Sequence, residues 1–152
     1  MTPHLAEWIS TVFYVGRFPV APGTAGSLVA VGFVWLWQSV LAINLGWTIL
    51  AVVLLTILGV AASTVHSRSL GVEDPGEIVI DEFVGQWIGL ILIPAHWAFW
   101  VAAFVLFRVL DIWKPLYIDK IQSWPNGWGV MADDVLAGIV TFLMIQLIVI
   151  FI

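Results

Sequence analysis

The sequence predicts an all-α fold: a polytopic bundle of membrane helices with about five membrane segments plus an N-terminal interfacial helix, in a single domain over residues 1–152. Three observations predict it. Hydrophobic residues make up 62% of the chain and charged residues only 10%, where a soluble domain carries about 25% charged residues. Between Leu28 and Ser67 there is no Asp, Glu, Lys or Arg, a stretch well beyond the ~20 residues of one crossing. Ten tryptophans suit two membrane–water interfaces, where indole rings settle.

Composition also excludes. There is no cysteine, so neither disulfides nor thiolate metal sites are available. A net charge of -5 argues against a nucleic-acid partner. The acids are concentrated: all but Glu7 lie between Glu73 and Asp134.

Residues 3–15 read as a short amphipathic helix with Leu5, Trp8, Ile9, Val12 and Phe13 on one side, suited to lying in the interface. Met1–Ser10 contains Pro3, His4 and Glu7 and lacks the basic stretch and apolar core of a cleavable leader. The first spanning segment is therefore expected to serve as its own insertion signal. Glycines and prolines make residues 16–27 a loop, with Ser27 placed to cap the helix that follows. Asn44-Leu45-Gly46 divides the long uncharged stretch into helices near 28–43 and 47–66.

After a polar loop over 67–80, Asp81-Glu82 opens an apolar run to Phe107. Parity favours breaking it at Pro94-Ala95-His96. One crossing would leave Asp81-Glu82 and the Arg108-Asp111-Lys114 group on opposite faces, and a turn at Pro94 puts them on one. The first limb is then shorter than a usual span. A loop through Asn126-Gly127-Trp128-Gly129 follows, and Asp133-Asp134 opens the last segment, from about 135 to 152. With five crossings all the basic residues, Arg17, Arg68, Arg108, Lys114 and Lys120, fall on one side. The positive-inside rule makes that side cytoplasmic.

Arg108, Asp111 and Lys114 are spaced three apart, which aligns their heads along one side of a helix. Ionisable groups beside hydrocarbon are costly unless paired or used. Helix capping would account for either acid pair alone. Two pairs plus Asp111 on one face repel unless a cation neutralises them, and oxygen-only ligands select a hard ion, Mg²⁺ or Mn²⁺. Arg108 and Lys114 are either structural partners of these acids or phosphate ligands, arginine as a fork and lysine as a point charge. Metal and phosphate together would make a phosphoryl-transfer or phosphate-hydrolysis site. Gly23-Thr24-Ala25-Gly26-Ser27 is open to two readings, an anion-binding turn or a plain capped turn. His4, His66 and His96 are scattered; His66 lies near the charged face without a ligand partner at helical spacing.

Four blocks together carry a resemblance: Ala21-Pro22-Gly23-Thr24-Ala25-Gly26-Ser27, Ile80-Asp81-Glu82-Phe83-Val84-Gly85-Gln86-Trp87-Ile88, Phe107-Arg108-Val109-Leu110-Asp111-Ile112-Trp113-Lys114-Pro115, and Gly127-Trp128-Gly129-Val130-Met131-Ala132-Asp133-Asp134-Val135-Leu136-Ala137-Gly138. In order and content the chain resembles the phosphatidylglycerophosphatase A family, membrane lipid phosphatases of bacterial phospholipid synthesis. The resemblance implies Mg²⁺-dependent hydrolysis of phosphatidylglycerophosphate to phosphatidylglycerol and inorganic phosphate. It also implies a multi-pass enzyme of the bacterial inner membrane with its site at the cytoplasmic face. This chain has Leu116-Tyr117 where the family often has an aromatic residue and a second proline.

Residue reading and resemblance combine into one expected site. Asp81, Glu82, Asp133 and Asp134 hold the metal. Asp111 is a further ligand or the base that orients water. Lys114, Arg108 and Arg17 hold phosphate oxygens, with Thr24 and Ser27 as additional candidates. Three other readings compete. The long aspartate signature of CDP-alcohol phosphotransferases is not present, and His66-Ser67-Arg68 only echoes the histidine-dependent lipid phosphatases. A small divalent-cation transporter would carry its acids in mid-helix, whereas these are expected at helix starts.

Overall fold

The computed structural model describes residues 1–115, 121 and 124–151, among which there are six α-helices and no strand. They are α1 (Pro3–Ser10), α2 (Pro22–Trp35), α3 (Leu45–Leu70), α4 (Ile80–Gly89), α5 (Trp97–Trp113) and α6 (Gly127–Phe151). Lys120 and Leu116-Tyr117 lie outside the described residues.

α1 ends sooner than its apolar pattern predicts. Beyond Ser10 the chain turns through Val12, Phe13 and Tyr14 at φ 48°, 55° and 68°, left-handed backbone that no α-helix continues through. Ala6 and Ser10 are its buried residues, while Leu5 and Trp8 stay exposed. α2 begins earlier than expected. Pro22 occupies the first turn, where a missing N–H costs nothing, so Gly23–Ser27 is helix and not loop. Ser27 is therefore no cap; inside the helix it donates to the Gly23 carbonyl at 3.0 Å. A π turn, Leu36–Val40, prolongs the helix.

Asn44 caps α3 by accepting from Trp47 N, and Gly71 closes it at φ 68°, the usual left-handed helix stop. The apolar run after Asp81 breaks as parity requires, α4 and α5 being joined through Leu90–His96. α6 corrects the sequence reading. It starts at Gly127, so Asp133 and Asp134 sit almost two turns inside it and do not open it. Placing both acid pairs at helix starts therefore holds only for Asp81-Glu82.

Among the described residues three helical stretches are long and apolar enough to cross a membrane: Pro22–Val40, Leu45–Leu70 and Gly127–Phe151. α5 has 17 residues. α4 has 10, a length of ~15 Å, about half the hydrocarbon thickness.

This short helix is the centre of the bundle, with every residue but Glu82 buried. Phe33 of α2 and Trp37 of the π turn that prolongs it pack their rings edge-on against Trp87, at centroid distances of 4.9 and 5.3 Å. On the opposite flank α4 and α6 touch through glycine. A Cβ on Gly138 would lie 2.2 Å from the Gly85 carbonyl oxygen. Such close backbone approach is what small residues permit between membrane helices.

The linker beyond α4 leaves carbonyls that no helix satisfies, a serious cost away from water. Side chains answer them. Gln38 Nε2 donates to Leu90 O at 3.2 Å, and Gln146 Nε2 to Ile91 O and Leu92 O at 3.2 and 3.3 Å. Trp100 Nε1 donates to Pro94 O at 3.0 Å.

Candidate active site

Asp81 and Glu82 stand in the first turn of α4, and the Gly85–Gly138 contact brings α6 alongside them. One carboxylate oxygen from each of Asp81, Glu82 and Asp134 can be chosen so that all lie within 4.8 Å of one another. Among the described residues these three acids form the group suited to a metal ion. Asp81 and Asp134 are buried, 8% and 3% exposed.

The donor set fits a divalent cation. Asp81 Oδ1, Glu82 Oε2 and Asp134 Oδ1 are buried without a hydrogen-bond partner, and three buried like charges cannot persist uncompensated. A Mg²⁺ octahedron with bonds of 2.0–2.1 Å spans about 4.2 Å between opposite oxygens, so small side-chain rotations close the trio around an ion.

Asp133 takes a different place. Its Oδ2 accepts from Lys114 Nζ at 2.5 Å and its Oδ1 from the Asp134 amide at 3.1 Å. Adjacent residues on a helix point ~100° apart, so the two aspartates serve different partners. Lys114 ends α5 in left-handed conformation, φ 46°, which turns its side chain toward α6. Burial pulls the Lys114 ammonium downward, but the hydrogen bond it donates to Asp133 and the charges of Asp133, Asp134 and Asp111 outweigh it. The group is held above the ordinary lysine value.

Arg108 forms the other wall. Its Nη1 lies 2.7 Å from Asp111 Oδ2 and 3.9 Å from Glu82 Oε1, and it reaches Ser27 Oγ at 3.4 Å. Asp111 is also a neighbour of Asp134. α2 can approach because position 23 has no side chain: a Cβ there would lie 2.0 Å from Glu82 Oε1 and 3.4 Å from Arg108 Nη1. Thr24 is half-buried in the same turn. Arg17 is placed elsewhere, paired with Glu7 and stacked 4.9 Å over the Tyr14 ring.

Eight of the ten expected site residues thus belong to helices that meet around α4, and five of them, Asp81, Glu82, Arg108, Asp111 and Asp134, are joined in one chain of contacts. Sequence reasoning missed two polar residues. Gln86, one turn past Glu82, is fully buried with neither amide atom partnered; its signal was a polar residue in the apolar run of the second block. His66 does have a partner, Glu77, at 2.7 Å, but eleven residues on, a separation that helical spacing does not search.

The family model for phosphatidylglycerophosphatase A matches residues 8–149. A Bacteroides thetaiotaomicron protein named "Putative phosphatidylinositol-3-phosphatase" is 45% identical over 90% of this chain and 89% of its own length. The phosphatidylglycerophosphatase A of Escherichia coli is 38% identical over 85% of this chain and 74% of its own, and that of Haemophilus influenzae 38% over 88% and 82%. No solved structure matches the chain.

Proposed function

The chain belongs to the phosphatidylglycerophosphatase A family and so to the phosphatases, and from that premise we propose that it hydrolyses the terminal phosphate of phosphatidylglycerophosphate, with Mg²⁺, at the cytoplasmic face of the bacterial inner membrane. The observation that carries the reading is the trio of Asp81, Glu82 and Asp134, two buried and one partly so, beside two cationic side chains. Water and the phosphomonoester give phosphatidylglycerol and inorganic phosphate.

Each residue has a role in this reading. Asp81, Glu82 and Asp134 hold the Mg²⁺, which when bound polarises phosphoryl oxygens and lowers the pKa of water. Arg108 and Lys114 bind the phosphate oxygens, turning from Asp111 and Asp133 as the more highly charged ligand arrives. Asp111, released from Arg108, accepts the proton of the attacking water. Asp133 orients Lys114 through their hydrogen bond before substrate arrives, and would be free to help hold the Mg²⁺ once Lys114 turns to phosphate. Gly23 and Ser27 hold α2 against Glu82 and Arg108, Thr24 lines the same turn, and Arg17 meets the lipid at the interface.

The proposed topology is a single membrane domain. The ends of α2, α3, α5 and α6 nearest Arg17, Arg68, Lys114 and Asp134 face the cytoplasm, and α4 and α5 enter and leave on that side. Both limbs of that hairpin are counted among about five membrane segments. Membership of a phosphatase family, more than the position of acids along helices, separates this reading from a cation transporter.

A second lipid has a specific observation behind it. The relative at 45% identity is named for a phosphatidylinositol-3-phosphatase, so an inositol lipid phosphate is a competing substrate. The deciding experiment is phosphate release by the purified protein in detergent. Phosphatidylglycerophosphate, phosphatidylinositol 3-phosphate and phosphatidic acid are compared, each with Mg²⁺ and with EDTA. Mg²⁺-dependent release from the first lipid alone is expected. Faster release from the inositol lipid would reassign the substrate, and undiminished release in EDTA would remove the metal.

A further inference from the structure

The two acids that open α4 have no side-chain cap beneath them. Val79, at the N-cap position, makes no capping hydrogen bond, although helix starts usually have such a partner. Tertiary contacts hold this end instead, all acting on the short segment before it. Val79 N donates to Ser10 O of α1 at 2.9 Å. Gly16 lies against the Glu77 carbonyl, where a Cβ would come within 1.9 Å of the oxygen.

One bond ties the segment to a membrane-length helix through side chains. His66 of α3, 3% exposed, meets Glu77 Oε1 through Nε2 at 2.7 Å. Glu77 is partly exposed, 31% at its side chain, and stands four residues before Asp81. The phosphatase reading uses neither residue. A buried imidazole in an apolar bundle is expensive unless its bond does something.

We infer that His66 is a positioning residue: with Glu77 it fastens segment 75–79 to α3, and so sets where Asp81 and Glu82 stand relative to Asp134 and how tightly the trio binds its cation. The inference rests on the metal reading above. The chain of contact is short and specific. His66 fixes Glu77, Glu77 precedes Asp81 by four residues, and α3 itself packs on α6, Gly59 lying against Met131 three residues before Asp134. The same helix therefore braces both halves of the trio. A merely structural bond would lower stability without changing how the folded protein binds an ion.

The test measures cation binding without any lipid or turnover. Full-length protein in detergent is titrated with Mn²⁺, and free Mn²⁺ is followed by electron paramagnetic resonance. Helical content and chromatographic behaviour confirm the fold of each variant. His66→Ala and Glu77→Ala are each expected to weaken binding about 10-fold, the lower end of what an outer-shell partner of a metal site costs. The double variant should lose little more, since both remove one bond. His66→Gln, whose amide nitrogen can stand where Nε2 does, should bind close to wild type. Because His66→Ala opens a hole in the bundle, Glu77→Ala at the partly exposed partner is the deciding variant. Glu77→Ala binding Mn²⁺ as tightly as wild type overturns the inference alone. Wild-type protein that binds no Mn²⁺ overturns the metal reading and this inference with it.

Discussion

Gly138 and Gly85 meet backbone to backbone. A Cβ on Gly138 would stand 2.2 Å from Gly85 O, and one on Gly85 would stand 2.5 Å from Asp134 O. Each glycine is one turn from an acid of the trio, so this contact sets the distance between Asp134 and the α4 carboxylates. Gly138→Ala must part the helices at a point where neither backbone can yield. It is predicted to cost about 1–3 kcal/mol and to lower phosphate release well beyond that loss of folded protein. Gly32→Ala, where a Cβ meets nothing within 4 Å, is the control and should be neutral or slightly stabilising. Thermal midpoints and rates measured together decide it; equal behaviour of the two variants would refute the spacing role.

Asp134→Asn should act in opposite directions on stability and activity. Three closely spaced carboxylates repel when no ion is bound, so removing one charge is predicted to raise the thermal midpoint in EDTA above wild type. The same variant should lose the rise that Mg²⁺ gives wild type, which follows from binding to the folded state alone. Turnover should fall by more than about 100-fold, beyond the effect of an outer-shell partner. A variant less stable than wild type in EDTA would show that the charges are not in conflict.

Lys114 gives a pH prediction. Its pKa lies above the ordinary value of 10.5, burial lowering it but the Asp133 hydrogen bond and nearby carboxylates raising it more. A cation whose folded pKa is raised contributes stability that is complete below the unfolded value and is lost as pH climbs through the folded one. The difference in thermal midpoint between wild type and Lys114→Met should therefore be flat between about pH 7 and pH 9. A difference that shrinks within that range would mean that Lys114 titrates there and is not held by Asp133.

What the sequence disclosed, and what it hid, follows from how local each signal is. Asp81-Glu82 at a helix start and the break near Pro94 are local, and both are where the pattern placed them. The start of α6 was hidden because Asn126-Gly127-Trp128-Gly129 has turn composition, yet Gly127 is needed as a small residue: a Cβ would lie 2.2 Å from Val60 O. The division of labour between Asp133 and Asp134 is invisible in a dipeptide, since only the neighbouring helices decide which way each points. Arg17 was grouped with the site by charge, while its observed partner, Glu7, belongs to the other side of a left-handed turn at 12–14. His66 and Glu77 are joined only by tertiary folding.

The half-length helix α4 makes a last prediction, because its far end leaves backbone oxygens that no helical N–H meets. Gln146 answers two of them, Ile91 O and Leu92 O, and Gln38 a third, Leu90 O. A carbonyl left unanswered away from water costs up to about 1–3 kcal/mol. Gln146→Leu fits the apolar surroundings better by composition, yet it should shorten the half-life at elevated temperature and make the linker the first part to open. Gln146 is twelve residues beyond Asp134, or ~18 Å along α6, so the rate at low temperature should be unchanged. A leucine variant as durable as wild type would show that those carbonyls find other donors. A variant with normal durability but a lower rate would instead tie the linker to the chemistry.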